Sequence, residues 1–298
     1  MYHHGKKKTV EPLCADLPYD CLVNIFTRLP LKDRWLSTMF VCKSWLHATK
    51  GPELYTVFDL ESYFYKASDH FDISELKRWW IRPSESESWW THEFETKIDN
   101  MIRDVVELSN GGLKEIRVRH CSDHSLSLIA QRCPNLEVLS IKSSPNVTDE
   151  SMVKVASGCP KLKEVDISYC YGISHTSLVT LGRNCSNLLI LKRNHIGIYK
   201  NRFESSIMIE NIPTNYLRTR PEDGDLVAAA IGKFMPQLLH LELRFSELPF
   251  ESLDLICKGC ENLENLDVSS WKYIGWDLLE KATLHLRNLK KLKSPGHS

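Results

Sequence analysis

The chain has 298 residues, with 38 Lys plus Arg against 38 Asp plus Glu, and 42% of it is hydrophobic. A formal net charge of zero does not favour nucleic acid or an anionic membrane as the main partner, and this composition argues against a disordered chain. No apolar run approaches the ~20 residues that cross a bilayer, and the opening MYHHGKKKTVEP lacks the apolar stretch of a secretory signal, so a soluble protein of the nucleus or cytoplasm is expected.

Residues 1–12 read as a flexible terminus, in which Lys6, Lys7 and Lys8 are either a nuclear-import signal or a solvated run. Residues 13–58 read as short helices. In the first, Leu22, Ile25, Phe26 and Leu29 recur at helical spacing between Pro18 and Pro30. A second is expected from about Lys32 to Phe40, and a third carries Cys42, Trp45 and Leu46 as far as Gly51-Pro52. About 45 residues are marginal for a core of their own, yet this segment also holds Trp35, Met39 and Phe40. So large an apolar excess on so small a unit implies a covering partner.

The stretch resembles an F-box. Leu17-Pro18 opens it, Ile25-Phe26, Leu29-Pro30 and Asp33 follow, then Val41-Cys42-Lys43-x-Trp45, with Pro52 and Leu54-Tyr55 closing it. Two departures fall on the second helix: Asp33 is followed by Arg34-Trp35 rather than leucine, and the gap to Val41 is one residue longer than is common. The resemblance implies binding to the Skp adaptor of cullin–RING ubiquitin ligases. The residues it assigns to that contact are Leu17, Pro18, Leu22, Ile25, Phe26, Leu29, Pro30, Val41, Cys42 and Trp45.

Residues 59–112 read as a helical linker and cap. Ile98, Met101, Ile102, Val105 and Leu108 mark an amphipathic helix ending near Gly111-Gly112, expected to cap a solenoid's first strand. Trp79, Trp80, Trp89 and Trp90 have no basic groove around them for stacking nucleobases and are expected to pack this junction.

From residue 113 a repeat organises the chain. CPNLEVLSI at 133, CPKLKEVDI at 159, CSNLLILKR at 185, MPQLLHLEL at 235 and CENLENLDV at 260 align, and Leu113 and Leu289 extend the series at both ends. Each unit predicts a short strand with alternate residues inward, then a helix; Ser122, Thr148 and Ser174 stand where N-caps belong. One unit cannot bury its own apolar face, so the units must stack. These motifs resemble the cysteine-containing leucine-rich repeats, with Cys121, Cys133, Cys159, Cys170, Cys185 and Cys260 as small packed hydrophobes. The fold class expected is therefore an α/β repeat: a three-helix F-box, then a short right-handed solenoid over 113–294 with a parallel concave sheet.

One spacing in the series, between Leu188 and Leu238, is 50 residues where its neighbours are 26 and 25. The excess is read as a loop insertion over 195–224, locally basic through Lys200, Arg202, Arg218 and Arg220. Strand residues flanking the inward leucines form three columns on the concave face. One holds Glu115, Glu164 and His240; the next holds Arg117, Asp166, Lys192, Glu242 and Asp267; the third, Arg119, Lys142 and Arg244, reads as a broken basic stripe. These columns and the basic loop are the expected target surface, suited to an acidic or phosphorylated segment, unless their charges only keep the face solvated.

Enzyme chemistry finds no support in the pattern. His120-Cys121-x-x-His124 with Cys133 is a weak metal motif whose cysteines the repeat already explains, and Cys257-x-x-Cys260 lies in a repeat helix without a redox setting. No phosphate-binding glycine loop, zinc-protease helix or nucleophile elbow is present, so neither a cofactor nor a metal is expected. The Asp33-Arg34-Trp35 variant with the loop-bearing repeat array resembles the plant Skp-interacting-partner group of F-box/leucine-rich-repeat proteins. That resemblance, over 13–58 and 110–294, implies a non-catalytic substrate-recognition subunit of an SCF-type ligase, tied through Skp to cullin and RING subunits. A Skp-bound scaffold without target degradation, or a small-molecule receptor using the basic loop, are the alternatives.

Overall fold

The computed structural model describes residues 17–61, 90–195, 216, 224–246, 248–269, 271 and 275–294. The terminus carrying Lys6 to Lys8, Trp79, Trp80 and Trp89, and the loop residues Lys200, Arg202, Arg218 and Arg220 lie outside them.

Helix α1 (Tyr19–Thr27) begins after Pro18, whose fixed φ suits a helix entrance. Helix α2 (Leu31–Leu36) follows Pro30 and stops early; Thr38–Phe40 form a separate 3-10 turn rather than the end of one long helix. Helix α3 (Lys43–Ala48) starts at Cys42, and Pro52–Tyr55 make a second 3-10 turn.

Here the structure departs from the expected boundaries. Val57–Asp59 are a strand, β1, not the helical end of the first unit. Phe58 is buried and stacks on Trp35 with ring centroids 5.8 Å apart, while the Thr56 carbonyl accepts from the amides of Lys114 and Glu115. The sheet therefore begins at 57 and not at 113. Helix α4 (His92–Ser109) is consequently no separate cap but the first helix of the solenoid, lying in sequence between two paired parallel strands, β1 and β2.

The remaining strands are β2 (Glu115–Arg119), β3 (Val138–Lys142), β4 (Glu164–Asp166), β5 (Ile190–Lys192), β6 (His240–Glu242), β7 (Asn265–Asp267) and β8 (Lys291–Lys293). Between them run α5 (Asp123–Arg132), α6 (Asp149–Gly158), α7 (His175–Asn184), α8 (Asp225–Phe234), α9 (Phe250–Gly259) and α10 (Trp276–Thr283). All eight described strands are parallel and stand in chain order, with consecutive helices packed side by side. Strand β5 pairs directly with β6, although the two are separated by the long spacing in sequence.

The apolar period explains this stacking. Leu113, Leu136, Leu162, Leu188, Leu238 and Leu263 are fully buried, as are Ile116, Leu139, Val165, Leu191 and Leu241 one step along the strands. Each such side chain contributes on the order of 2 kcal/mol only when a neighbouring unit covers it. The repeat cysteines complete the layer: Cys159, Cys185 and Cys260 are buried and donate to the carbonyls of Ile129, Ala156 and Ile231 in the preceding repeat. At Gly182, a Cβ would fall 2.5 Å from the Phe234 carbonyl oxygen, so glycine is what allows α7 and α8 to close up.

The helix entrances are joined by a second repeat. Ser122, Thr148 and Ser174 are N-caps, accepting from the amides of His124, Glu150 and Thr176. Each cap in turn donates to an aspartate one repeat earlier. Asp99 accepts from Ser122 N and Oγ at 3.0 and 2.6 Å, Asp123 from Thr148 N and Oγ1 at 2.8 and 2.6 Å, and Asp149 from Ser174 N and Oγ at 2.9 and 2.5 Å. His175 stands where the next aspartate belongs, and α8 has no side-chain cap.

Candidate partner interfaces

The apolar residues of the first unit divide by direction. Leu22 and Phe26 are fully buried and belong to one continuous core with the solenoid, together with Leu31, Ala48, Leu54 and Tyr55. Leu22 and Phe26 were expected to touch a partner; their burial assigns them to folding instead, since no surface remains on them to cover. Trp45 is half-buried, its ring 5.1 Å from that of Phe26, and Leu29 also packs against the core. Arg34 Nη1 donates to the Leu54 carbonyl at 2.7 Å and Tyr55 Oη to that of Thr49 at 2.7 Å, which fastens the closing 3-10 turn to the helices of the unit.

The opposite side is open. Phe40 is 77% and Val41 51% exposed, and Leu17, Tyr19, Ile25 and Leu46 are exposed with them. Pro18 and Pro30 are exposed and Cys42 is half-buried at the entrance of α3. Phe40, Tyr19 and Leu46 were absent from the expected contact set. The break between α2 and the 3-10 turn is what carries Phe40 to the surface, and no helical period reports such a break.

On the concave face the columns fall into register as expected: Glu115, Val138, Glu164, Ile190, His240, Asn265 and Lys291 in the first, and Arg117, Ser140, Asp166, Lys192, Glu242, Asp267 and Lys293 in the second. The basic stripe does not survive. Arg119 is buried and donates to Glu61 through Nε at 2.9 Å, and Lys142 lies 3.7 Å from Glu61 and 3.3 Å from Asp166. Arg244 donates from Nε to Ser269 Oγ at 3.2 Å. Arg117 grips Glu164 with both terminal nitrogens at 3.0 and 3.2 Å, and Lys192 Nζ reaches the same carboxylate at 3.3 Å.

Glu242 accepts from Asn194 Nδ2 at 3.0 Å and is hydrogen-bonded to His240 Nε2 at 2.9 Å. Burial alone would raise its carboxyl, but these hydrogen bonds and nearby Lys192 prevail and hold it at about 2. With Asp59 and Glu61 included, seven acidic and seven basic side chains share this register, so the face is neutral overall, and many of these charges pair with one another. Selection of an acidic segment by this face loses its electrostatic basis.

A third cluster lies where the strands end. His120, Ser143, Tyr169 and Phe245 share one repeat position and all have positive φ, between 54 and 64°. His120 is buried edge-on to Trp90 and Phe94, and burial, with Arg119 beside it, lowers its imidazole to about 3. Tyr216, from the insertion, stacks on Tyr171 at 4.9 Å, lies 4.9 Å from Trp90 and donates its hydroxyl to the Tyr169 carbonyl. Trp90, expected to pack the junction with the first unit, instead packs against His120 of the repeats and Tyr216 of the insertion. His120 at a strand end and Cys133 at the end of α5 occupy different repeat positions, and His124 is exposed on α5. The Cys257 and Cys260 thiols are buried, which raises both to about 12 and leaves them unreactive at neutral pH.

An apolar patch on a helical unit fused to a parallel leucine-repeat sheet defines a modular binding protein. The chain belongs to the F-box/leucine-rich-repeat family. The F-box domain model matches residues 14–56, ending where β1 begins. Putative F-box/LRR-repeat protein 19 of Arabidopsis thaliana is 49% identical over 95% of this chain and 88% of its own length. F-box protein SKIP1 of the same plant is 47% identical over 93% and 85%. The solved structure of the Rad7 and Elc1 complex in yeast is similar at a TM-score of 0.41, with 17% identity over 80% of this chain and 52% of that one.

Proposed function

We propose that this protein is the substrate-recognition subunit of an SCF-type cullin–RING ubiquitin ligase, holding the Skp adaptor with its F-box and a target protein with its repeats. The observation that carries the reading is the exposed set Leu17, Tyr19, Ile25, Phe40, Val41 and Leu46 on a unit whose Leu22, Phe26, Leu31, Ala48, Leu54 and Tyr55 are buried. Exposed aromatic and aliphatic anchors grouped on one small helical surface are what a stable partner interface is built from. The chain's role is then non-catalytic. Through Skp it is linked to a cullin and a RING-bound conjugating enzyme, and holding a target lysine beside charged ubiquitin raises the effective concentration of the reactants. The assembly would act in the nucleus, the cytoplasm or both.

The double variant Phe40→Ala/Val41→Asp tests this. Its thermal unfolding should match the parent, since both side chains are exposed, while affinity for purified Skp adaptor falls by at least about 100-fold. Unchanged Skp capture by the folded variant would sink the assignment. Accumulation of a captured protein in cells lacking this chain separates degradation from scaffolding.

A further inference from the structure

The described strands all run one way, so the helices between them all return the other way and their dipoles add. Opposite charges therefore gather on the two flanks of the solenoid. Helices α5, α8 and α9 open on Asp123, Asp225 and Glu251 and close on Arg132, Lys233 and Lys258. The exit flank is most basic at its centre. Turns 156–163, 182–189 and 232–239, which lead from α6, α7 and α8 into β4, β5 and β6, hold Lys161, Lys163, Arg183 and Lys233 and no acidic residue.

Helix dipoles explain these cations but not the side chains among them. In five units the residue after the buried repeat leucine is charged: Lys114, Glu137, Lys163, Glu264 and Lys290. Lys163 pairs there with Glu137 at 2.6 Å, and Lys290 with Glu264 at 2.8 Å. In two adjoining units the same position is Leu189 and Leu239, both half-buried, and the Leu239 amide donates to the Leu189 carbonyl at 2.9 Å. On this flank Phe234 is also half-buried, with the Arg183 guanidinium 4.8 Å and Lys233 Nζ 5.4 Å from its ring centre. Both cations are exposed. An apolar break in a charged rim, bordered by cations alone, is a place for a ligand that is both apolar and acidic.

We infer that this flank docks an acidic segment of the recruited protein. A bulky aliphatic or aromatic side chain of the segment covers Leu189 and Leu239, and its carboxylates meet Lys163, Arg183 and Lys233. The acidic flank of a second copy is a poor occupant, because Asp99, Asp123 and Asp149 already accept hydrogen bonds from the caps of the next helices. The inference rests on the reading that the chain recruits a protein, and places the contact on the rim rather than on the paired charges of the concave face.

The test uses the full chain, with and without purified Skp, and a fluorescein-labelled peptide alternating aspartate with leucine and phenylalanine. Fluorescence anisotropy should show saturable binding, weakened at least about tenfold when serine replaces the apolar residues or lysine replaces the aspartates. Leu189→Ser/Leu239→Ser should weaken the aspartate peptide at least about tenfold. Arg183→Glu/Lys233→Glu should reverse the preference between the aspartate and lysine peptides. The two variants alter separate side chains, and thermal unfolding shows which are folded, so either alone decides. Absence of saturable binding, or binding that a folded variant leaves unchanged, overturns the proposal. So does self-association, or capture of phosphatidylserine vesicles, that Arg183→Glu/Lys233→Glu abolishes; either would give the flank to a second copy or to a membrane. Skp capture is read separately, and its absence with peptide binding intact would fail the ligase reading alone.

Discussion

Phe40 and Trp45 stand five positions apart and differ in burial. The phenyl ring is free of the fold, while the indole leans on Phe26 at the base of the first unit. Helical spacing gives Trp45 the same standing as Val41, so sequence alone lists both as partner contacts. Their energetic roles separate once burial is known. Trp45→Ala should lower the free energy of unfolding by about 2 kcal/mol, because a half-buried ring leaves a cavity smaller than a fully buried one. Urea denaturation measures it; an unchanged midpoint with weakened Skp binding would return the indole to the interface. Arg119 teaches the same lesson about charge. Its partner Glu61 is 58 residues away, so no local pattern could show that this arginine is neutralised.

At the scale of single elements, Asp99, Asp123 and Asp149 each staple their helix to the entrance of the next. In Asp149 burial raises the carboxyl, but hydrogen bonds from Ser174 and Ser177 outweigh it and hold the group below its ordinary value. The folded chain therefore binds this proton less readily than the unfolded one. The staple's stabilisation is fully present above the ordinary aspartate value, near pH 4, and is lost as pH falls through the lowered folded value. Unfolding temperatures measured from about pH 6 to pH 3 should fall less steeply for Asp149→Asn than for the parent; identical slopes would remove the staple from the account. The caps themselves were legible, since Ser122, Thr148 and Ser174 precede apolar periods. Strand β1 was not, because Val57-Phe58-Asp59 carries no leucine motif and its pairing with Glu115, Ile116 and Arg117 spans a long separation.

For the whole molecule, the decisive fact is that the F-box and the repeats share a core. Some 45 residues do not bury all of their own hydrophobes: Leu22, Phe26, Leu54 and Tyr55 are covered in the core shared with the solenoid, while Ile25, Phe40 and Val41 stay exposed. Deleting residues 1–55 would strip Phe58 and α4 of their cover. That truncated chain should aggregate or unfold at least about 10 °C lower, by light scattering and calorimetry. A truncated chain that remained monomeric with the parent's unfolding temperature would show two independent domains.

The uninterrupted parallel ladder also has a metric consequence. Seven strand spacings of about 4.8 Å put the β8 edge roughly 34 Å from β1, and the shared core leaves little slack at the F-box end. On the proposed function the protein would be a ruler, whose length in repeats decides where cargo hangs relative to the adaptor. Adding or removing one repeat would move the cargo by a single strand spacing and turn it by the local twist. Chains of this design with different repeat numbers would then present different lysines of one target, even where their contacts with it were the same.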